Sequence, residues 1–275
     1  MDANLKALNI HCHDLSIIAY FIGTDYENNN HIIQASNWLS LAAGITKVDF
    51  NSDVKGDSIW CGYAREYEDK KSEYFTKIVN KLTVFQFIWC AVEILSSYIE
   101  EQNLTTTHRE KDGKITKACI FLREGQQRPP VLYPEIYQQL KNKLIASSIE
   151  RTAVNKAVNP RNFIGELGKG LHAVYQVRNS FAHGTLTSAL PMDATIDDYT
   201  SGEGMLDESI LDLSSRIILI SIQMLLVELL YRVNSLRRFL NDEFTMGCLI
   251  EGCDEIERIE LILKQVHLET PITVI

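Results

Sequence analysis

The sequence predicts a mostly all-α protein built as a bundle of long helices. The first indication is a set of long stretches with apolar residues at helical spacing; the clearest, residues 66–101, contains neither Pro nor Gly. The second is the small number of turn-forming residues, since 275 residues include only six Pro and 14 Gly. The third is a composition of 45% hydrophobic and 23% charged residues, which is ordinary for a soluble globular chain.

The N-terminal region is predicted to be mostly helical. Residues 5–22 are apolar but ambiguous between helix and strand, whereas residues 30–43 carry an apolar stripe at helical spacing. In the long segment that follows, residues 84–95 are apolar almost all round, so we expect them at the centre of a bundle. We place a domain boundary near residue 60, between an N-terminal extension at 1–60 and a main helical domain at 61–275.

Residues 104–130 are predicted to be an irregular insert. The pair Asp112-Gly113 is typical of a two-residue β-hairpin turn. The β-branched and aromatic residues at 115–121 suit one of its strands. We therefore expect a small β-hairpin here, closed by the Gly and Pro residues at 125–130.

Four more helices are expected after the insert. Pro134 suits the first turn of a helix that runs to about residue 150, and Pro160 suits the start of one that runs to His183. Three Gly at 165–170 indicate either close packing or a break near 168–170. The last two helices are expected at 209–240 and 253–266, after an exposed acidic loop at 191–208.

The charge distribution points to a local phosphate-binding surface on an acidic body. The net charge of −9 argues against a protein that coats nucleic acid indiscriminately. Residues 105–184 nevertheless hold 13 Lys and Arg against 6 Asp and Glu, a net charge of +7 in a chain that is otherwise at −16. These cations either bind phosphates or merely solvate helix faces, and the sequence leaves both open.

The cysteines and the apolar runs indicate where the protein is located, and one histidine-rich cluster bears on whether it binds a metal. The six Cys include no CxxC pair, and the first residues do not resemble a signal peptide, which favours free thiols in the cytoplasm. The apolar runs 82–95 and 217–230 are interrupted by polar residues, so we expect core helices and no membrane span. His11-Cys12-His13-Asp14 lacks a second ligand cluster, and we expect no metal and no cofactor.

The strongest candidate for chemistry is one seven-residue segment, Arg178-Asn179-Ser180-Phe181-Ala182-His183-Gly184. Gly184 predicts that a helix stops here, with His183 at its C-terminal end, where the helix dipole favours the protonated imidazole. An imidazole can move the protons of a phosphodiester cleavage, and a guanidinium can hold two phosphate oxygens. On an ideal helix, however, Arg178 and His183 point roughly 140° apart. The alternative is a surface ion pair for the arginine and a capping role for the histidine.

The segment resembles the HEPN superfamily of α-helical ribonucleases, whose hallmark is a polar residue after the Arg of an Rx4–6H motif. Arg178, Asn179 and His183 fill those positions, and the ending Phe-Ala-His-Gly is most similar to the ApeA-like and abortive-infection domains of prokaryotic anti-phage systems. A second, shorter similarity covers residues 90–95. It implies that Glu93 pairs with Arg178 and holds it in place; a helix-edge carboxylate is the alternative. Thr185 departs from the HEPN toxins that carry Tyr at this position, and the resemblance does not extend to residues 1–60 or to the insert.

The resemblance implies a fold, an activity and partners. It implies a HEPN-type bundle of four or five helices that forms a homodimer across the motif. It further implies metal-free cleavage of RNA, including tRNA, through attack of the 2′-hydroxyl, in defence or as a toxin, with room for a regulatory partner protein. The alternative within the family is a non-catalytic protein that binds RNA or a partner, and outside it a structural helical oligomer.

Overall fold

The described secondary structure is almost entirely helical. The computed structural model describes residues 4–24, 29–54, 56, 61–107, 112–125, 128–147, 151–182, 194–201, 206–232 and 255–269. Over these ranges there are ten α-helices: α1 Leu8–Thr24, α2 Asn30–Gly44, α3 Gly62–Glu101, α4 Lys114–Glu124, α5 Tyr133–Ala146, α6 Arg151–Val158, α7 Gly165–Ala182, α8 Ile196–Ser201, α9 Ser209–Arg232 and α10 Glu255–Gln265. The predicted all-α helical bundle is confirmed.

Helix α9 forms the centre of the bundle. Every residue from Ile217 to Leu230 is buried, and α3, α5, α7 and α10 pack around this helix. Both α3 and α9 are long and apolar enough to cross a membrane, but a buried core helix meets the same criteria. In α9, 83% of the most apolar window lies inside the fold, compared with 44% in α3. The burial of α9 agrees with the core helix that its interrupted apolar run predicts.

The N-terminal helices pack onto the same core. Residues 5–22, ambiguous in sequence, are helical from Leu8 onward. Helix α1 packs on α2 and α2 packs on α3, and the fully buried Leu15 and Leu39 belong to one apolar cluster with Trp89 of α3. The Ser36 hydroxyl also donates to the backbone carbonyl of Ser16 at 2.8 Å, which joins α2 to α1. The domain boundary near residue 60 stays a prediction.

The predicted β-hairpin at 104–130 is wrong, because residues 114–124 form helix α4. Gly113 has φ −69° and ψ 161°, so it precedes a helix and does not adopt the positive φ that a type I′ hairpin turn needs. The buried residues Ile115, Ala118, Cys119 and Leu122 recur at helical spacing and place one face of α4 in the core. The β-branched content of the segment serves this buried face.

Helix α7, which carries the candidate motif, begins later than predicted. It starts at Gly165 rather than Pro160, after a 3-10 turn at Asn162–Ile164. Gly165 has φ +74°, a conformation that interrupts a right-handed helix and favours glycine. The helix then runs without a break through residues 168–170, so the glycines there serve close packing.

The acidic loop at 191–208 is partly described and contains the short helix α8. This helix lies on the first half of α3, where the Tyr199 ring contacts the rings of Tyr67, Tyr74 and Phe75. Helix α9 begins at Ser209, as expected, and its described part ends at Arg232. Helix α6 was not expected from the sequence.

Candidate functional site

Arg178 lies in the last turn of the described α7, and an aromatic ring faces its guanidinium group. The guanidinium carbon is 5.8 Å from the centre of the Trp89 ring on α3, at a distance suited to a cation–π contact. Trp89 is almost fully buried and stacks on Tyr175, one turn before Arg178, with ring centres 6.2 Å apart and planes inclined by 14°. The two helices thus hold the guanidinium group between the core and the surface.

A hollow of about 420 Å³ opens beside Arg178. Its other walls come from two turns of α3 and are mostly apolar: Val79, Leu82, Thr83, Phe85, Gln86 and Phe87. Arg178 is the only charged residue among the described residues that line it. A single cation at the edge of an apolar hollow suits an anionic group that carries an apolar or aromatic neighbour.

Glu93 pairs with a different cation from the expected one. Its carboxylate lies 3.5 Å from Lys114 Nζ of α4, and no contact joins it to Arg178 within the described residues. Arg178 itself forms no ion pair with any residue that the structure describes. Burial above all raises the pKa of the nearby Cys90 thiol, and the charge of Arg178 opposes this rise only in part. The thiol therefore lies within electrostatic reach of the guanidinium group. In this chain Trp89, and not Glu93, contacts the arginine.

The remaining motif residues are described only in part. Asn179 follows Arg178 on α7 and is half-buried. His183 and Gly184 lie outside the described residues, and α7 is described to Ala182. The predicted helix end at Gly184 and the divergence of Arg178 and His183 therefore stay predictions.

A line of polar residues leads along α7 towards the motif. His172, Gln176 and Asn179 are spaced by four and three residues, share one half-buried face and precede His183 by whole turns. Gln176 Nε2 lies 3.4 Å from His172 Nε2, while His172 Nδ1 is buried without a described hydrogen-bond partner. Burial first, and then the charge of Arg161, lower the pKa of His172 and favour its neutral form. This line could have been found from its spacing, whereas the Trp89 contact depends on two helices that are far apart in sequence.

A second polar centre lies inside the bundle. Gln223 of α9 links two histidines, since its Oε1 is 2.9 Å from His11 Nε2 and its Nε2 is 3.2 Å from His267 Nδ1. His267 Nε2 donates to the Val131 carbonyl at 2.8 Å. Burial above all lowers the pKa of both histidines. These partners fix neutral imidazoles in the core rather than a site open to substrate.

The histidine-rich segment at 11–14 does not converge on a common point. His11 and Cys12 are buried, His13 is exposed, and the Asp14 carboxylate pairs with Lys6 at 2.7 Å. Within the part of the chain that the structure describes, no three His, Cys, Asp or Glu side chains are placed to hold a metal ion.

A larger cleft, of about 1130 Å³, lies elsewhere, between the end of α9 and α10. Its charged walls are largely paired with each other, as in the contacts of Arg232 with Glu124 at 3.2 Å and with Glu228. Partial burial raises the pKa of Glu124, but hydrogen bonds from Thr107, Thr106 and Arg232 outweigh it and bring the value to about 2. These groups hold one another and stabilise the junction of three helices.

No family model, no curated protein and no solved structure matches this chain.

Proposed function

We propose that the protein is a metal-independent endoribonuclease of HEPN type that acts as a homodimer in prokaryotic anti-phage defence or as a toxin. The observation that carries the proposal is the setting of Arg178, which is half-buried against Trp89, borders an open hollow and has no carboxylate partner among the described residues. An arginine without such a partner keeps its charge for a ligand. It is also the first residue of the segment that resembles the HEPN motif.

In the proposed reaction, His183 acts as the general acid and base. An imidazole takes the proton of the ribose 2′-hydroxyl while the 2′-oxygen bonds to phosphorus. The bond from phosphorus to the 5′-oxygen breaks, and an imidazolium gives that oxygen a proton. The products are a 2′,3′-cyclic phosphate and a 5′-hydroxyl. Arg178 stabilises the charge on the phosphorane oxygens, and Asn179 orients His183 or donates to the phosphate.

Dimerisation supplies what one motif lacks. Five residues on an ideal helix turn Arg178 and His183 about 140° apart, so one chain does not direct both side chains at one phosphate without distortion. Two motifs that face each other across a dimer axis would offer two cations and two imidazoles. A single cleft could then draw its acid and its base from different chains.

The test is a cleavage assay on tRNA and on total RNA in the presence of EDTA. We expect cleavage by the unaltered protein and a fall of at least about 100-fold in rate for Arg178→Ala and for His183→Ala, the usual cost of removing an acid–base group or an electrostatic stabiliser. Arg178→Lys should lose most of the activity as well, because an ammonium group lacks the planar fork. Arg65→Ala, which removes an exposed arginine at the start of α3, is the matched control and should remain active.

The outcomes separate the candidate functions. RNA binding without cleavage would contradict the enzyme and favour a non-catalytic RNA-binding protein of the same fold. Absence of both would leave a structural oligomer. Sedimentation of the purified protein measures the dimer independently, and a monomer that cleaves RNA would contradict the shared cleft.

A further inference from the structure

The stretch that contains α6 and α7 is rich in cations and poor in acidic residues. Residues 151–182 contain five Lys and Arg and one acidic residue. The only ion pair among the described residues of this stretch joins Lys169 to Glu166. Arg151, Lys156 and Arg161 are exposed and unpaired within the described chain. On the neighbouring helix α4, by contrast, Lys114 and Lys117 both pair with carboxylates of α3.

Helix packing directs these cations outward. Helix α6 packs on α7 and buries Val154, Ala157 and Val158, whereas Arg151 and Lys156 stay exposed. The guanidinium group of Arg161 lies 6.0 Å from the Phe163 ring, just before α7. Residues 151–161 hold these three cations and no acidic residue, so no carboxylate of the same segment neutralises them. Their grouping therefore favours an anionic ligand.

The cations continue into the polar line on α7. The Arg161 charge acts on His172, which contacts Gln176, and Asn179 follows one turn later beside Arg178. The 18 residues of α7 span about 27 Å at about 1.5 Å per residue, which accommodates several nucleotides rather than one. Amide and imidazole groups suit the 2′-hydroxyls and base edges of an unpaired strand, and the cations suit its phosphates.

We propose that the α6–α7 face, comprising Arg151, Lys156, Arg161, His172, Gln176 and Asn179, binds single-stranded RNA and leads it along α7 to the end of the helix that carries the motif. This inference rests on the proposed function, since it identifies how the substrate of that site is held. Single-stranded RNA fits better than a rigid duplex, because the face combines spaced cations with groups that can hydrogen-bond to unpaired bases.

The test measures binding separately from cleavage. His183→Ala protein is titrated with a fluorescent single-stranded RNA oligonucleotide at several salt concentrations. One variant adds Arg151→Gln, Lys156→Gln and Arg161→Gln, and the control adds Lys47→Gln, Arg65→Gln and Arg128→Gln, which remove three exposed cations elsewhere. We expect weaker binding by the first variant only. Its slope of log K against log salt should fall in magnitude by about 2, because each phosphate that a cation neutralises on a single strand contributes roughly 0.7 to the slope.

Each result has a distinct meaning. Equal slopes for the two triple variants would overturn the α6–α7 face as an RNA-binding surface. This result would leave the proposed nuclease intact. A slope that falls as expected, in a protein whose unaltered form does not cut RNA, would support the face and overturn the nuclease. No RNA binding by the His183→Ala protein would overturn both.

Discussion

At the scale of single residues, the contact between Arg178 and Trp89 determines how the guanidinium charge can be used. A carboxylate partner would neutralise the arginine and compete with an incoming phosphate. A tryptophan face contributes roughly 0.5–2 kcal/mol of attraction and leaves all five donors of the fork free to bind. The contact at 5.8 Å thus fixes the direction of the side chain without cancelling its charge.

The Tyr133 hydroxyl is another single group with a large structural role. It donates to the Leu167 carbonyl at 2.8 Å and accepts from the Gly170 amide at 3.1 Å, so α5 contacts the first turns of α7 through one buried atom. Burial also raises the pKa of this phenol, which keeps it neutral and able to donate.

Removal of this hydroxyl should destabilise the protein. We expect Tyr133→Phe to lower the free energy of unfolding by about 1–3 kcal/mol, because the variant leaves a buried carbonyl and amide without their partner. Urea denaturation measures the difference. Tyr137→Phe is the matched control, since the Tyr137 hydroxyl is buried without a described hydrogen-bond partner and its removal should be neutral or stabilising. Equal destabilisation of both variants would contradict this role for Tyr133.

At the scale of helices, the contact between α4 and α7 positions the motif. A Cβ atom placed on Gly168 would lie 2.9 Å from the backbone carbonyl oxygen of Cys119 and 2.9 Å from its Cβ. A Cβ atom placed on Gly170 would lie 2.5 Å from the Tyr133 hydroxyl of α5 and 2.9 Å from Cγ2 of Ile217 on α9. The two glycines allow α7 to sit deep in the bundle, with Arg178 two to three turns further on.

Gly168→Ala should therefore separate the two helices. Overpacking costs about 1–3 kcal/mol, and the better helix propensity of Ala returns about 1 kcal/mol, so we expect a net destabilisation of up to about 2 kcal/mol in thermal or urea unfolding. Gly62→Ala at the start of α3 meets nothing within 4 Å and should be neutral or slightly stabilising. A stable Gly168→Ala protein would show that α4 and α7 can shift apart at little cost.

How much of each element could be predicted from sequence depends on whether the decisive signal is local. The helices at 30–44 and 62–101 follow from apolar spacing within one segment. Helix α4 was missed because an Asp-Gly pair and β-branched residues outweighed a stripe that recurs every three to four residues from Ile115 to Leu122. The start of α7 depends on the positive φ of Gly165 next to Arg123, a contact between distant segments that no local pattern reveals. In the candidate site, Arg178 and Asn179 could be chosen from the motif, but Trp89 as the partner of Arg178 could not.

At the scale of the whole molecule, the buried histidines join both ends of the described chain to its centre. His11 belongs to α1, Gln223 to α9, and His267 to the segment in which Lys6 donates from its backbone to the His267 carbonyl at 2.9 Å. His267 Nδ1 accepts a hydrogen bond from the Gln223 amide, so a proton on this nitrogen would face another donor. A proton on His11 Nδ1 would have no described acceptor. Arg216 and Lys6 add positive charge nearby.

Acid should therefore destabilise the fold in a defined range. Both pKa values are lowered in the folded state, so above about pH 6.5 the histidines are neutral whether folded or unfolded and contribute no pH dependence. Below this pH, the unfolded chain binds protons that the folded chain does not bind. The free energy of unfolding therefore falls by about 1.4 kcal/mol per pH unit for each histidine. Urea unfolding between about pH 6.5 and 5 should show the destabilisation, above the range in which carboxylates dominate.

Single substitutions identify the source of this pH dependence. His267→Gln should lose about two thirds as much stability over that range as the unaltered protein, since His11 and His172, whose pKa values burial also lowers, still titrate. His13→Gln, which removes an exposed histidine from the same helix as His11, should behave as the unaltered protein does. A pH profile that His267→Gln leaves unchanged would contradict the role of the buried pair.

The length of α3 has a consequence for motion. With 40 residues it extends about 60 Å at about 1.5 Å per residue, whereas the 24 residues of α9 extend about 36 Å. Its second part shares the core with α9, while its first part is covered, among the residues that the structure describes, by α8 and by loop contacts such as that of Ser52 with Ser72 at 2.9 Å. Backbone amides in the first part should open to solvent by local fluctuation, and those around Trp89 only when the whole protein unfolds. One continuous helix would thus join a first part whose amides exchange readily to a second part whose amides are protected. The hollow beside Arg178 lies between the two parts.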